Sequence, residues 1–174
     1  MENKDLIEKI KKVKIMVMDI DGTLTDGMVY YSKNGEELKR FYIRDGMGIE
    51  LLHKSGIQVG ILTSENSPIV MARATRLKIE HVILGSRNKK KSLEELSENI
   101  NIPLESIAYI GDDVNDLQAM QISGFSVCPV DSVESIKDVA DCVLTHNGGE
   151  GAVRELAELI LTTQNKPITL PESW

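Results

Sequence analysis

Short β-branched runs alternate along the chain with longer stretches whose apolar residues recur every three or four positions. The runs Lys14–Asp19, Gln58–Thr63, His81–Gly85, Ile107–Gly111, Gly124–Pro129 and Asp141–Thr145 predict strands. The stretches Asp45–Ser55, Pro68–Leu77, Lys90–Asn99, Val114–Ser123, Val133–Val139 and Gly151–Thr162 predict amphipathic helices, with Leu93, Leu96 and Ile100 showing the spacing. Gly56, Pro103 and Gly124 fall between elements, where turns belong. Strand following helix in this way predicts an α/β fold with a doubly wound, mostly parallel sheet, and right-handed crossovers place helices on both faces. One segment breaks the alternation. Met28–Ser32 and Glu36–Phe41 flank Lys33-Asn34-Gly35, and Asn-Gly is a strong two-strand turn signal, so a β-hairpin over 28–41 is expected to project from the first βα connection. The end of the chain, about 163–174 with Pro167 and Pro171, reads as a loose tail, and 1–174 reads as one domain.

Charge and composition narrow the partners. The net charge of −7 disfavours nucleic acid or an anionic membrane as a partner. No apolar run approaches the roughly 18 residues of a membrane span, and residues 1–14 are charged without an apolar signal core, so a cytoplasmic protein is expected. Cys128 and Cys142 are too few for a disulfide framework. With His53, His81 and His146 scattered they form no zinc pattern, so buried free thiols are expected. An anionic substrate would then need a metal ion or a local basic group.

Polar clusters stand at the carboxyl ends of four of the expected strands, the edge at which open α/β sheets bind ligands. Asp19-Ile20-Asp21-Gly22-Thr23 follows the first, Thr63 ends the second, Lys89 lies just past the third, and Gly111-Asp112-Asp113 ends the fourth with Asp116 close behind. A carboxylate at the end of an apolar strand is costly without a partner. Converging carboxylates without histidine form a hard, oxygen-rich site suited to Mg²⁺. Asp19 could attack phosphorus as a carboxylate nucleophile, and Asp21 could protonate the leaving oxygen and then deprotonate water. Thr63 and Lys89 can donate to phosphate oxygens, and Gly22 lets backbone N–H groups approach them. Bland readings stand beside these. The Asp pair could cap a turn, Thr63 could be a helix N-cap, and Lys89-Lys90-Lys91 could be a solvated run. Asp116 could merely orient backbone.

The ordered set D-x-D-G-T, strand-end Thr, Lys and G-D-D-x-x-D resembles the haloacid dehalogenase (HAD) phosphatases over roughly residues 14–162. The resemblance implies a HAD-like, Rossmannoid fold, Asp19 as nucleophile and Asp21 as acid/base. It also implies Mg²⁺ held by Asp19, the Asp21 carbonyl and Asp112, with Asp113 and Asp116 in support. The Asp19–Thr63 interval has room for a hairpin and one helix, and the Thr63–Lys89 interval for one helix and one strand. Neither leaves room for a cap domain. Thr25-Asp26-Gly27, Asn34-Gly35-Glu36-Glu37, Arg44-Asp45-Gly46-Met47-Gly48-Ile49 and Gly151-Ala152-Val153-Arg154-Glu155 are similar to the 3-deoxy-D-manno-octulosonate 8-phosphate (KDO 8-phosphate) phosphatases. Those are capless homotetramers that associate through their hairpins, act on a small-molecule sugar phosphate and serve lipopolysaccharide biosynthesis. The resemblance would place Arg44 and the 148–154 loop near substrate.

Two positions depart from that family's pattern. Ser64-Glu65 replaces Gly-Arg, and Glu150 replaces Arg in the Gly-Gly-x-Gly loop. Glu65, Arg73 and Arg76 instead resemble relatives that act on nine-carbon ulosonate 9-phosphates, such as N-acylneuraminate 9-phosphate. An acid in place of a base should weaken carboxylate binding and favour sugar hydroxyls. Arg44, Glu65, Arg73, Arg76 and Glu150 are therefore the candidate specificity residues. Two further readings remain, a receiver-type phospho-Asp domain and a non-catalytic partner of a cytidylyltransferase. The order of the motifs speaks against the first and the intact motif set against the second.

Overall fold

A computed structural model describes residues 3–170. In chain order the elements are α1 (Asn3–Lys11), β1 (Ile15–Met18), β2 (Thr25–Ser32), β3 (Gly35–Phe41), α2 (Ile43–Lys54), β4 (Gln58–Leu62), α3 (Pro68–Arg76) and β5 (His81–Ile83). There follow α4 (Lys89–Ile100), β6 (Ile107–Ile110), α5 (Leu117–Ile122), β7 (Phe125–Cys128), α6 (Glu134–Lys137), β8 (Cys142–Val143) and α7 (Ala152–Thr163). Six strands form one sheet in the order β5-β4-β1-β6-β7-β8, every pair parallel, and β2 and β3 form a separate antiparallel hairpin. The expected α/β architecture is thus the observed one.

The centre of the sheet is buried on both faces because β1 and β6 are apolar at successive positions rather than at alternate ones. In β1, Ile15 and Val17 pack with Leu93 and Leu96 of α4, Met120 of α5 and Ile136 of α6. Met16 and Met18 face the other way, onto Ile10 of α1, Leu52 of α2, Val70 of α3 and Leu156 of α7. All four β1 side chains are fully buried, each worth roughly 1.5–3 kcal/mol. The site depends on the register. Met18 stands level with Ile61 on one side and Ile110 on the other. Asp19, the β4–α3 loop and Gly111 therefore emerge together at the carboxyl edge. From β1 the chain steps outward to β4 and β5, then crosses back to β6, so β1 lies at the topological switch point, where such sheets leave a crevice.

Three details differ from the pattern read along the chain. Helix α1 lies in the segment read only as charged; Ile10 and the partly buried Leu6 anchor it to the core, four residues apart on one face. Helix α5 begins at Leu117 rather than Val114. The preceding residues are held in a turn, with the Asp116 amide on the Asp113 carbonyl and the Asp116 carboxylate on the Asp112 and Asp113 amides. The tail is tied down beyond α7. Gln164 donates to the carbonyls of Ile10 and Val13, Lys166 donates to the Ser55 carbonyl, and Leu170 packs against the core. The last four residues of the expected tail, 171–174, lie outside the described residues. Cys128 is buried and Cys142 half-buried, both as free thiols.

Candidate active site

Four of the polar groups expected at the sheet edge meet. Asp19 follows β1 directly and its amide bonds the Ile110 carbonyl, so its backbone still belongs to the sheet. Its carboxylate is almost fully buried and pairs with Lys89 Nζ at 2.9 Å through Oδ2, while Oδ1 has no partner. Lys89 opens α4 and is buried, whereas Lys91 lies outside and pairs with Glu95. The lysine run therefore resolves in favour of its first member. Asp112 follows Gly111 at the end of β6 and accepts from the Thr23 hydroxyl at 3.0 Å. Thr63 is buried, with Oγ1 accepting from the Glu65 amide. Asp19, Asp21, Thr63, Glu65, Asp112 and Asp113 share the lining of one cavity of about 310 Å³.

Asp116 is fully buried and saturated. Oδ1 accepts from Lys89 Nζ at 2.6 Å and the Tyr109 hydroxyl at 2.7 Å, and Oδ2 from the amides of Asp112 and Asp113. Although Asp19, Asp112 and Asp116 each bring a carboxylate oxygen within 4.8 Å of the others, Asp116 has no lone pair to spare. It serves as the anchor that fixes Lys89 and the turn bearing Asp112. Asp113 is exposed and turned to its own loop, accepting from the Val114 amide.

The electrostatics of the site call for a cation. Burial, reinforced by the Asp116 charge and opposed by Lys89, pushes the Asp19 carboxyl up to about 7. Burial, then the charges of Asp19 and Asp116, push Asp112 up to about 7 as well. Burial works to lower the Lys89 pKa, but Asp19 and Asp116 outweigh it and raise it, so the ammonium stays charged. A hard divalent cation would relieve the repulsion and satisfy the orphaned Asp19 Oδ1. The donors present, carboxylates and carbonyls without sulfur or imidazole, fit one. Glycine is required beside it. At Gly22, with φ +89°, a Cβ would lie 2.1 Å from Asp112 Oδ2, and at Gly111 a Cβ would lie 2.3 Å from Asp116 Cγ.

With this geometry in place, comparison with known proteins is specific. The haloacid dehalogenase-like hydrolase family matches residues 59–156. The 3-deoxy-D-manno-octulosonate 8-phosphate phosphatase KdsC of Haemophilus influenzae is 39% identical over 159 residues, covering 91% of this chain and 88% of the relative. The enzyme of the same name from Escherichia coli K12 is 40% identical over 162 residues, covering 93% and 86%. This chain belongs to the KDO 8-phosphate phosphatase family. It is thereby a phosphoric monoester hydrolase. Among solved structures, the Moraxella catarrhalis phosphatase in complex with magnesium ion, phosphate ion and KDO superposes with a TM-score of 0.91 at 41% identity, covering 94% of each chain. The cobalt-bound Haemophilus influenzae phosphatase gives 0.89 at 39% identity, covering 90% and 92%.

The candidate specificity residues of this family member do not gather in one place within the chain. Glu65 alone reaches the catalytic cavity. Arg44 and Glu150 line a separate, larger cavity of about 640 Å³ between α2 and α7, and Glu150 pairs with Arg40 at 3.1 Å. Arg73 and Arg76 line a third, with the Arg73 guanidinium over the Phe41 ring at 5.3 Å. Two polar residues to which the sequence reading gave no role also matter. Asp45 caps α7 from another helix, accepting from the Arg154 amide at 2.8 Å, and burial pushes its carboxyl up to about 6. Lys39 reaches from the hairpin to Asp21. The alternation with Phe41 in β3 held a weak signal for Lys39, and Asp45 stood only within the Arg44–Ile49 motif, with no role read from it.

Proposed function

We propose that this chain is a Mg²⁺-dependent phosphatase that removes the terminal phosphate of a 3-deoxy-2-ulosonic acid phosphate of the KDO 8-phosphate type. The observation that carries the reading is a buried, cation-demanding Asp19 that pairs with Lys89 and shares one cavity with Asp21, Thr63 and Asp112. A carboxylate oxygen of Asp19 attacks phosphorus and the phosphorus–sugar oxygen bond breaks. The electron pair stays on the sugar oxygen, which takes the proton of the Asp21 carboxyl. Water then attacks the aspartyl-phosphate and Asp21 takes its proton. The Asp19–phosphorus bond breaks with its electrons returning to Asp19, and inorganic phosphate leaves. Lys89 and the Thr63 hydroxyl bind the equatorial oxygens, and the lack of a side chain at Gly22 leaves room for backbone N–H groups to approach them. Mg²⁺, held by Asp19, Asp112 and the Asp21 carbonyl, supplies Lewis-acid neutralisation of the phosphoryl charge. Asp116 fixes Lys89.

The hairpin supports assembly. Met28, Tyr30, Tyr31 and Leu38 are more than half exposed, the largest value being 71% at Tyr31, and such a patch favours burial against further copies of the chain. We read the enzyme as a cytoplasmic homotetramer built through residues 28–41. A nine-carbon 9-phosphate substrate is the second reading, favoured by one observation: Glu65 lines the catalytic cavity. Phosphate release from KDO 8-phosphate and from N-acetylneuraminate 9-phosphate, each with Mg²⁺, tests both. At least about tenfold higher kcat/KM for KDO 8-phosphate, about 1.4 kcal/mol, is expected. The reverse preference makes Glu65 the residue to change, and failure on both overturns the reading.

A further inference from the structure

Lys39 sits in a solvent-facing hairpin between the exposed Leu38 and Arg40, yet its side chain is only 1% exposed. It shares a face with Phe41, two positions on, which packs against the core, and a bulge supplies its partner. The β2–β3 register runs Tyr30↔Leu38 and then Tyr31↔Glu36, leaving Glu37 as an extra residue on β3. Residues three apart in a regular strand face opposite ways, and one extra residue brings Glu36 and Lys39 to the same face. Lys39 Nζ then donates to Asp21 Oδ1 at 2.5 Å and pairs with Glu36 Oε1 at 2.7 Å. Glu36 Oε2 accepts from the hydroxyl of Ser67, the N-cap residue of α3, at 2.7 Å. Among the described residues, Lys39 is the only side chain bonded to the Asp21 carboxyl. Asp21 Oδ2 is left without a side-chain partner, on a residue that lines the catalytic cavity.

We propose that Lys39 is a positioning residue for proton transfer to the leaving oxygen: it holds Asp21 by one carboxyl oxygen so that the other is presented to the substrate. The bulge at Glu37 is the device that brings Glu36 round to the face of Lys39. Glu36 and Ser67 complete the brace, so the hairpin, the catalytic loop and the start of α3 are set against one another. A hairpin anchor alone would be satisfied by the Lys39–Glu36 pair and would not need Asp21. The inference rests on Asp21 being the general acid/base.

The test is the rate of the first half-reaction in single turnover with Mg²⁺, for a sugar-acid phosphate and for p-nitrophenyl phosphate, whose leaving group needs no proton. Lys39→Met should slow sugar release about 10²-fold and the p-nitrophenol burst by less than about threefold, with Lys39→Arg recovering part of the loss. Asp21→Asn should show the same asymmetry, and adding Lys39→Met to it should cost nothing more. If Asp21→Asn slows both substrates equally, the acid/base reading fails and this inference with it. If Asp21→Asn is asymmetric but Lys39→Met slows both equally, or neither, the positioning role alone is overturned. Lys39→Gln, which keeps a donor without the charge, should show a smaller loss of the same asymmetry, and it decides the matter if the Met variant does not fold.

Discussion

Replacing Gly22 by alanine separates what the backbone needs from what the cation site needs. The new Cβ would start 2.1 Å from Asp112 Oδ2 and 2.6 Å from its Cγ. Ordinary carbon–oxygen contact requires more than about 3 Å, so the Asp112 carboxylate must retreat by about 1 Å. The residue also keeps φ +89°, which costs an L side chain about 1–2 kcal/mol. The strain should lower the melting temperature by about 2–8 °C in a chain of this size. The displaced carboxylate should lower kcat by about 10²-fold, and a higher Mg²⁺ concentration should be needed for half-maximal rate. Gly35→Ala is the control. Its φ is +113° and no atom lies within 4 Å of the added Cβ, so it should melt earlier to a similar degree and keep its kcat. Melting curves and Mg²⁺ titrations of both variants decide. A Gly22→Ala enzyme with normal kcat and Mg²⁺ requirement would refute the placement of Asp112 as a ligand.

Two further outcomes follow from the charges and the surface. Asp19 and Asp112 near 7 and Asp45 near 6 are all raised above their ordinary carboxylate values. The folded state therefore binds more protons than the unfolded one between about pH 4 and 7, and metal-free stability should fall as pH rises through that window. Mg²⁺ should raise the melting temperature more at pH 8 than at pH 5, and calorimetry showing equal shifts would contradict this. Replacing Met28 and Tyr31 together by glutamate should break the proposed tetramer into smaller species by light scattering, and an unchanged mass would remove the hairpin from the interface.

The strand–helix alternation, the carboxyl-edge cluster and the hairpin were legible because each rests on local chemistry: apolar runs, carboxylates in unlikely apolar surroundings, and Asn-Gly. The inward lysine of the 89–91 run was legible only through the motif. What stayed hidden depends on contacts across the fold. Asp116 reads in sequence as a supporting residue, and only the Tyr109 hydroxyl and the Lys89 ammonium on its Oδ1 show what it anchors. Lys39 carries only the weak signal of its alternation with Phe41, and its partners Asp21 and Glu36 emerge only in the fold. Asp45 sits on α2 and caps α7, 109 positions away. The candidate specificity residues occupy three separate cavities of one chain, and no spacing rule in the sequence encodes that.

The central claim is that Asp19 carries the phosphoryl group. Acid quench of the Asp21→Asn enzyme during turnover of p-nitrophenyl phosphate, followed by peptide mass spectrometry, tests it directly, because loss of the base that activates water should let the intermediate accumulate. The account predicts a phosphoryl adduct on the peptide spanning Asp19, absent in Asp19→Asn, which should also be inactive. An adduct on another residue, or turnover by Asp19→Asn, would contradict it.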